Sequence, residues 1–125
     1  MPPKIAVIIL NYNQEKDTTQ CLRAVTRLSY PSFEVLVVDN GSRERVEEKL
    51  KGSFPKVHWL TLRENVGFSA GCNEGIRWAL SRGMGAVLLL NNDAEVAPDV
   101  LEKMTETASS NSKIGVVGAV ICREA

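Results

Sequence analysis

The stretch Ala86-Val87-Leu88-Leu89-Leu90-Asn91-Asn92-Asp93 is an unbroken apolar run that stops on two amides and a carboxylate. A run of this length without polar alternation predicts a strand covered on both faces, as in a parallel sheet sandwiched between helices. Two other stretches finish in the same way. Phe33-Glu34-Val35-Leu36-Val37-Val38 runs into Asp39-Asn40-Gly41-Ser42, and Ile5-Ala6-Val7-Ile8-Ile9-Leu10 runs into Asn11-Tyr12-Asn13. If they lie parallel, these strands deliver their polar ends to one edge of the sheet. In open α/β sheets ligands sit in the crevice beyond the carboxyl ends of the strands. Asp93 stands at such an end.

Helical patterns separate the strands. Asp17 is a plausible N-cap for a helix presenting Thr18, Cys21, Leu22, Val25 and Leu28 at helical spacing. Tyr30-Pro31-Ser32 ends it, because the residue before proline is pushed out of the helical region. Asn40-Gly41 signals a turn, and Ser42 is placed to cap a short helix that buries Val46 and Leu50. Val57–Leu62 reads as a third strand, with His58 as an edge or surface residue. A loop, Arg63 to Gly71, leads into a helix with Cys72, Ile76, Ala79 and Leu80 on its buried face. Gly67 and Gly71 there allow close backbone approach, and a helix N-terminus with free N–H groups favours anions. Pro98-Asp99 opens a last helix, with Val100, Leu101, Met104 and Ala108 inward, and Ile114–Ile121 reads as a final strand. The order βαβαβαβαβ predicts an α/β domain, a mostly parallel Rossmann-like sheet with helices on both faces. Residues 1–125 form one domain of this kind.

Composition excludes several classes. Fifteen basic residues balance fifteen acidic ones, so no global field marks a nucleic-acid or membrane binder. No apolar run approaches the roughly 20 residues needed to cross a bilayer. Lys4 is followed by a strand pattern with no small-residue cleavage site, so no secretory leader is expected. Cys21, Cys72 and Cys122 are odd in number and widely spaced, which fits a reducing cytoplasm better than a disulfide framework. The chain has no G-x-x-x-x-G-K-[ST] loop, no G-x-G-x-x-G after its first strand, and no acidic cluster there.

The crevice chemistry suits a nucleoside diphosphate. Hard divalent cations bind through one or two carboxylates, with phosphates completing the shell, and Asp93 is the carboxylate for Mn²⁺ or Mg²⁺. Asn91 and Asn92 offer amides to ribose or water. Asp39, an acceptor-only group, suits the N–H of a uracil or thymine ring, and Tyr12 is able to stack on it.

Ile8-Ile9-Leu10-Asn11-Tyr12-Asn13, Val37-Val38-Asp39-Asn40-Gly41-Ser42, Glu64-Asn65-Val66-Gly67-Phe68 and Leu88-Leu89-Leu90-Asn91-Asn92-Asp93 occur in order at fitting intervals. Together they resemble the nucleotide-binding half of a family 2 glycosyltransferase with the GT-A fold, closest to the rhamnosyltransferase-like branch that makes bacterial surface polysaccharides. The resemblance covers essentially the whole chain. It implies a UDP- or dTDP-sugar donor, a saccharide or lipid-linked acceptor, a divalent metal, and no nucleic acid. By the family pattern Asp39 contacts the base and Asp93 the metal and diphosphate. Asn11, Tyr12 and Asn13 border the nucleoside pocket, Asn65 and Gly67 form its far wall, and Asn91 and Asn92 are nucleotide-binding residues within the D-x-D-like motif. Asn91-Asn92-Asp93 departs from the D-x-D pattern by offering one carboxylate instead of two. In that family the acceptor half and the base of inverting members lie past the span matched here, so no catalytic residue is assigned. The resemblance leaves three functional expectations: metal-assisted sugar transfer, a nucleotide-sugar binding module without transfer, or a structural unit completed by a second copy or partner chain through its sheet edge. The expected location is cytoplasmic, at the inner membrane face where the acceptor is a lipid.

Overall fold

The protein is described by a computed structural model covering residues 2–122. Four strands, β1 (Ile5–Asn11), β2 (Phe33–Asp39), β3 (His58–Thr61) and β4 (Ala86–Asn91), form one sheet in the order β3-β2-β1-β4. Every pairing is parallel, with Asn11 opposite Asp39 and Leu10 opposite Asn91. The three polar strand ends therefore meet on one sheet edge, as the apolar runs predict.

Strand periodicity divides the core in two. Ile5, Val7, Ile9, Val35 and Val37 face one side, where they pack with Cys21, Leu22 and Val25 of α1 (Glu15–Val25) and with Val46 and Leu50 of α2 (Val46–Leu50). Leu101 of α4 (Val100–Ser109) joins that same cluster. Ala6, Ile8, Leu36 and Val38 face the other side, under Ala79 of α3 (Phe68–Ser81). Helices thus cover both faces, with α3 alone on its own side.

Several local expectations are corrected. The helix after β1 starts at Glu15 with Gln14 at the N-cap position, so Asp17 lies inside the first turn. Ser42 does not cap α2, which begins only at Val46; the Asp39 carboxylate accepts the Val46 N–H instead, at 3.0 Å. Leu80 is exposed rather than buried. The stripe of α3 against the sheet consists of Gly71, Cys72, Gly75 and Ala79, and these small residues seat the helix so that Leu80 turns outward.

The larger corrections concern β4. It is an edge strand, and Leu89 is 47% exposed instead of being covered on both faces. Since α3 packs over β1 and β2, its side of β4 is thinly roofed. The final strand expected at 114–121 does not form: residues 114–122 carry no regular structure, and Val116 and Ile121 are 92% and 93% exposed.

Crossover handedness is one constraint on a strand at the β4 edge. From β1 to β2 the chain moves toward one edge with α1 on the first face, and from β3 to β4 it moves the opposite way with α3 on the second face. Reversing both direction and face keeps each crossover right-handed, as almost all such connections are. Helix α4 lies on the face of α1, yet a parallel strand beyond β4 requires motion in the direction taken over α3. That crossover would be left-handed. Among the described residues, no helix is long and apolar enough to cross a membrane.

Candidate functional site

The loops after β1, β2 and β4, together with the β3–α3 loop, build the polar edge of the sheet. Its floor is a buried hydrogen-bond network. Asn11 is 1% exposed, and its Nδ2 donates to Asp39 Oδ1 at 3.4 Å and to Ser42 Oγ at 3.2 Å. The Ser42 hydroxyl donates to Asp39 Oδ1 and accepts the Asn13 N–H at 2.9 Å. On its other side, Asn11 Oδ1 accepts the hydroxyl of Thr18 at 2.6 Å. Asn92 Nδ2 donates to Thr18 Oγ1 and Gln14 Oε1, both at 3.2 Å. The network runs unbroken from the β4 loop to the β2 loop.

A second knot holds the far wall. Asn40, also buried, donates through Nδ2 to Asn65 Oδ1 at 3.2 Å and to the Gly67 carbonyl at 3.1 Å, while its Oδ1 accepts the Val66 N–H at 3.0 Å. Three backbone positions in these loops take left-handed geometry: Gly67, at φ 88°, ahead of α3, Gly41, at φ 77°, and Asn13, at φ 52°. Asparagine tolerates that region through local hydrogen bonding, and here Asn13 Oδ1 accepts the Arg43 N–H at 2.9 Å. Helix α3 has neither a side-chain cap nor an acid in its first turn, so its N–H groups and dipole face the crevice unopposed by a carboxylate.

The nine expected ligand residues divide into two layers. Tyr12, Asn13, Asn65, Gly67, Asn91 and Asp93 are exposed in or beside the loops of the polar sheet edge, whereas Asn11, Asp39 and Asn92 are buried. Asp39 is 1% exposed and already accepts from Asn11, Ser42 and Val46, so in this arrangement it presents almost no surface to a ligand. The sequence reading missed Thr18, placed on an apolar helix stripe, together with Asn40 and Ser42, which were read as a turn and a cap. Their signal was available in the Asp39-Asn40-Gly41-Ser42 cluster, because short polar side chains at a strand end bond to neighbouring backbone and loops.

A cavity of about 340 Å³ opens between the β1 and β2 loops, bordered by Asn11, Asn13, Ser42, Arg43 and Lys49. Its rim carries an ion cluster in which Lys49 meets Glu15 at 3.1 Å and also Glu44. Glu44 and then Glu15 hold the Lys49 ammonium above its ordinary range, and Lys49 holds the Glu44 carboxyl below its own. A larger cavity, about 460 Å³, follows the outer side of β4 between Ile76 and Met104 and is mostly apolar. It lies away from the polar loops.

Among the described residues no group of three His, Cys, Asp or Glu side chains is able to hold a metal, at Asp93 or elsewhere. The Asp93 charge does reach inward. Burial, reinforced by Asp93, pushes the Cys21 thiol up to about 11, and the Cys21 Sγ sits 3.7 Å from the Asn91 carbonyl oxygen. An exposed single carboxylate fits Mg²⁺ or Mn²⁺ only where the ligand's own phosphates complete the shell.

The family model for glycosyl transferase family 2 matches residues 6–125. Glycosyltransferase AglE of Haloferax volcanii is 34% identical over 122 residues, covering 93% of this chain and 38% of that protein. The dTDP-rhamnosyl transferase RfbF of Shigella flexneri is 29% identical over 105 residues, 84% of this chain and 34% of its own length. This chain thus spans little more than a third of the length of these relatives. In structure it resembles the mannosyltransferase PcManGT of Pyrobaculum calidifontis, solved with GDP-Man and Mn²⁺, at a TM-score of 0.78 and 22% identity over 92% of this chain and 34% of that one. It also resembles S. aureus TarS solved with UDP-GlcNAc, at 0.73 and 22% over 96% and 37%. These likenesses establish the fold, that of the GT-A enzymes. With its parallel sheet and a family match running from β1 to the last residue, the chain belongs to glycosyltransferase family 2.

Proposed function

We propose that the crevice binds the diphosphate and nucleoside of a UDP- or dTDP-sugar together with Mn²⁺ or Mg²⁺, and that the protein transfers the sugar to an acceptor hydroxyl. One observation carries the reading. Exposed Tyr12 and Asn13, Asn65 and Gly67, and Asn91 and Asp93 follow β1, β3 and β4, and these parallel strands all end on the same edge of the sheet. Solved neighbours hold UDP-GlcNAc and GDP-Man, which supports a nucleotide-sugar donor and makes the nucleoside the open variable.

In this reading Tyr12 supplies an aromatic face for the base, and Asn13 and Asn65 form the two sides of the nucleoside pocket. Asn11 and Asp39 fix those sides from beneath, and a base reaches Asp39 only where Ser42 turns aside. The diphosphate lies toward the uncapped N-terminus of α3 and Asp93, where dipole and cation oppose its charge. When bound, the cation supplies Lewis-acid stabilisation to the departing diphosphate. Transfer forms a bond from the acceptor oxygen to the anomeric carbon. The bond from that carbon to the phosphate oxygen breaks, its electron pair leaves with the nucleotide, and the acceptor proton is released.

The test is a thermal-shift panel of UDP, dTDP, GDP and ADP with and without Mn²⁺, on wild type and Asp93→Ala. A ligand at about 100 times its Kd stabilises by about 2.7 kcal/mol, which is several degrees for a domain of this size. The expected result is a metal-dependent shift with UDP or dTDP that Asp93→Ala abolishes. A panel with no shift at all overturns the donor-site reading.

A further inference from the structure

We propose that Thr18 is a positioning residue that couples the nucleoside end of the crevice to its metal and diphosphate end; this rests on the donor-site reading above. Two adjacent threonines in α1 show why Thr18 is unusual. Thr19 does what a helical threonine ordinarily does, donating to the carbonyl one turn back, Glu15 O, at 2.7 Å. Thr18, fully buried, turns away from its own helix and donates to Asn11 Oδ1 at 2.6 Å. Its oxygen accepts from Asn92 Nδ2 at 3.2 Å. A single hydroxyl therefore bridges the ends of β1 and β4.

The direction of these bonds is fixed from the far end. Asp39 only accepts, so Asn11 must turn Nδ2 toward it, which leaves Asn11 Oδ1 facing Thr18 and in need of a donor. Asn92 lies just past the final ladder pair, Leu10 with Asn91, so the β-ladder no longer holds it. Its side chain ties it to Thr18 and Gln14 instead. Asp93 follows directly, and its position depends on that tie. A shift of Asn13 or Ser42 on nucleoside binding is transmitted through Asn11 and Thr18 to Asn92, and a shift of Asp93 on metal binding travels back. Coupling of this kind is reciprocal between the two ligands.

The experiment measures the Kd of the nucleotide that stabilises wild type most, with and without Mn²⁺, by titration calorimetry. It is run on wild type, Thr18→Val, Thr18→Ser and Asn92→Ala. In wild type Mn²⁺ tightens nucleotide binding. Thr18→Val keeps the shape but deletes the hydroxyl, and the factor of tightening is expected to fall about fivefold or more. Thr18→Ser restores the donor and the factor. Asn92→Ala cuts the same path at its less buried end and carries the test should Thr18→Val not fold. If Thr18→Val or Asn92→Ala weakens binding equally with and without Mn²⁺, or retains the wild-type factor, the inference is overturned while the donor site stands. If wild type itself binds no nucleotide, the donor-site reading fails and takes this inference with it.

Discussion

Asn40 fastens Asn65 to the sheet: its Nδ2 reaches Asn65 Oδ1 at 3.2 Å across 25 residues of chain. The same amide also holds Val66 and Gly67, so one buried side chain orders the whole β3–α3 loop. Asn40→Ala leaves those loop groups without partners and should destabilise the fold by about 1–3 kcal/mol. Urea unfolding measures the loss, and faster exchange of the Val66 amide, whose N–H donates to Asn40 Oδ1, than in wild type locates it. Unchanged exchange at that amide would show that the loop is held by something else.

Cys21 gives a chemical view of Asp93. Burial, with the Asp93 charge added, lifts its thiol from the ordinary 9.0 to about 11, so it stays protonated and inert at neutral pH. Iodoacetamide should label the exposed Cys122 well before Cys21 or Cys72, as mass spectrometry will report. The raised value has a definite sign. Its stabilisation is complete below 9.0 and is lost as pH rises through about 11, because the unfolded thiol ionises first. Asp93→Ala removes the smaller cause and should make that alkaline loss smaller, its onset unchanged and its end at lower pH.

Glu34 lies at the opposite end of the sheet from the crevice. Its carboxylate meets Lys4 at 3.0 Å, Arg82 at 3.2 Å and His58 at 2.9 Å. Lys4 above all, then Arg82 and His58, hold it below its ordinary 4.5 against the opposing effect of burial. A lowered carboxyl contributes stability above the unfolded value and loses it as pH falls through the folded one. Glu34→Gln should therefore be less stable than wild type near neutrality, with the gap closing as pH falls below 4.5 and through the folded value. Urea midpoints across that range measure it, and a constant gap would refute the assignment.

Gly41 and Gly52 make a matched pair. At Gly41, φ is +77° and an added Cβ would stand 2.4 Å from the Glu64 carbonyl carbon, which is backbone and unable to yield cheaply. At Gly52 it would meet open space. Gly41→Ala should cost more than the roughly 1–3 kcal/mol of left-handed strain alone. Gly52→Ala should be neutral or stabilising by up to about 1 kcal/mol. Thermal melts of both variants decide it.

How far the fold was legible depended on which forces were local. The apolar runs at Ile5–Leu10 and Phe33–Val38 showed the central strands because both faces of a central strand must be covered. The run at Ala86–Leu90 looks the same but lies at an edge, and sheet order is a long-range property that hydrophobicity does not encode. Ile114–Ile121 has a strand's composition without a right-handed parallel route to the edge beyond β4, a constraint that appears only once the face of α4 is known. At the crevice, residue types indicated a polar site, but burial separated its layers. Nothing in the sequence separates the inward Asn92 from the exposed Asn91 beside it.

Helix α3 sits on the sheet at a distance set by two hydrogens. A methyl at Gly75 would come within 2.6 Å of Ile8, and one at Gly71 within 2.8 Å of Leu10 and 3.2 Å of the Asn40 amide. The same helix begins at Gly67, so raising it would draw the far wall away from Asn40. The width of the crevice is thereby an inherited packing distance, adjustable from the hydrophobic side of the protein. Descendants of this chain have a route to a roomier crevice through a single added carbon at either glycine, with every side chain that faces the opening left as it was.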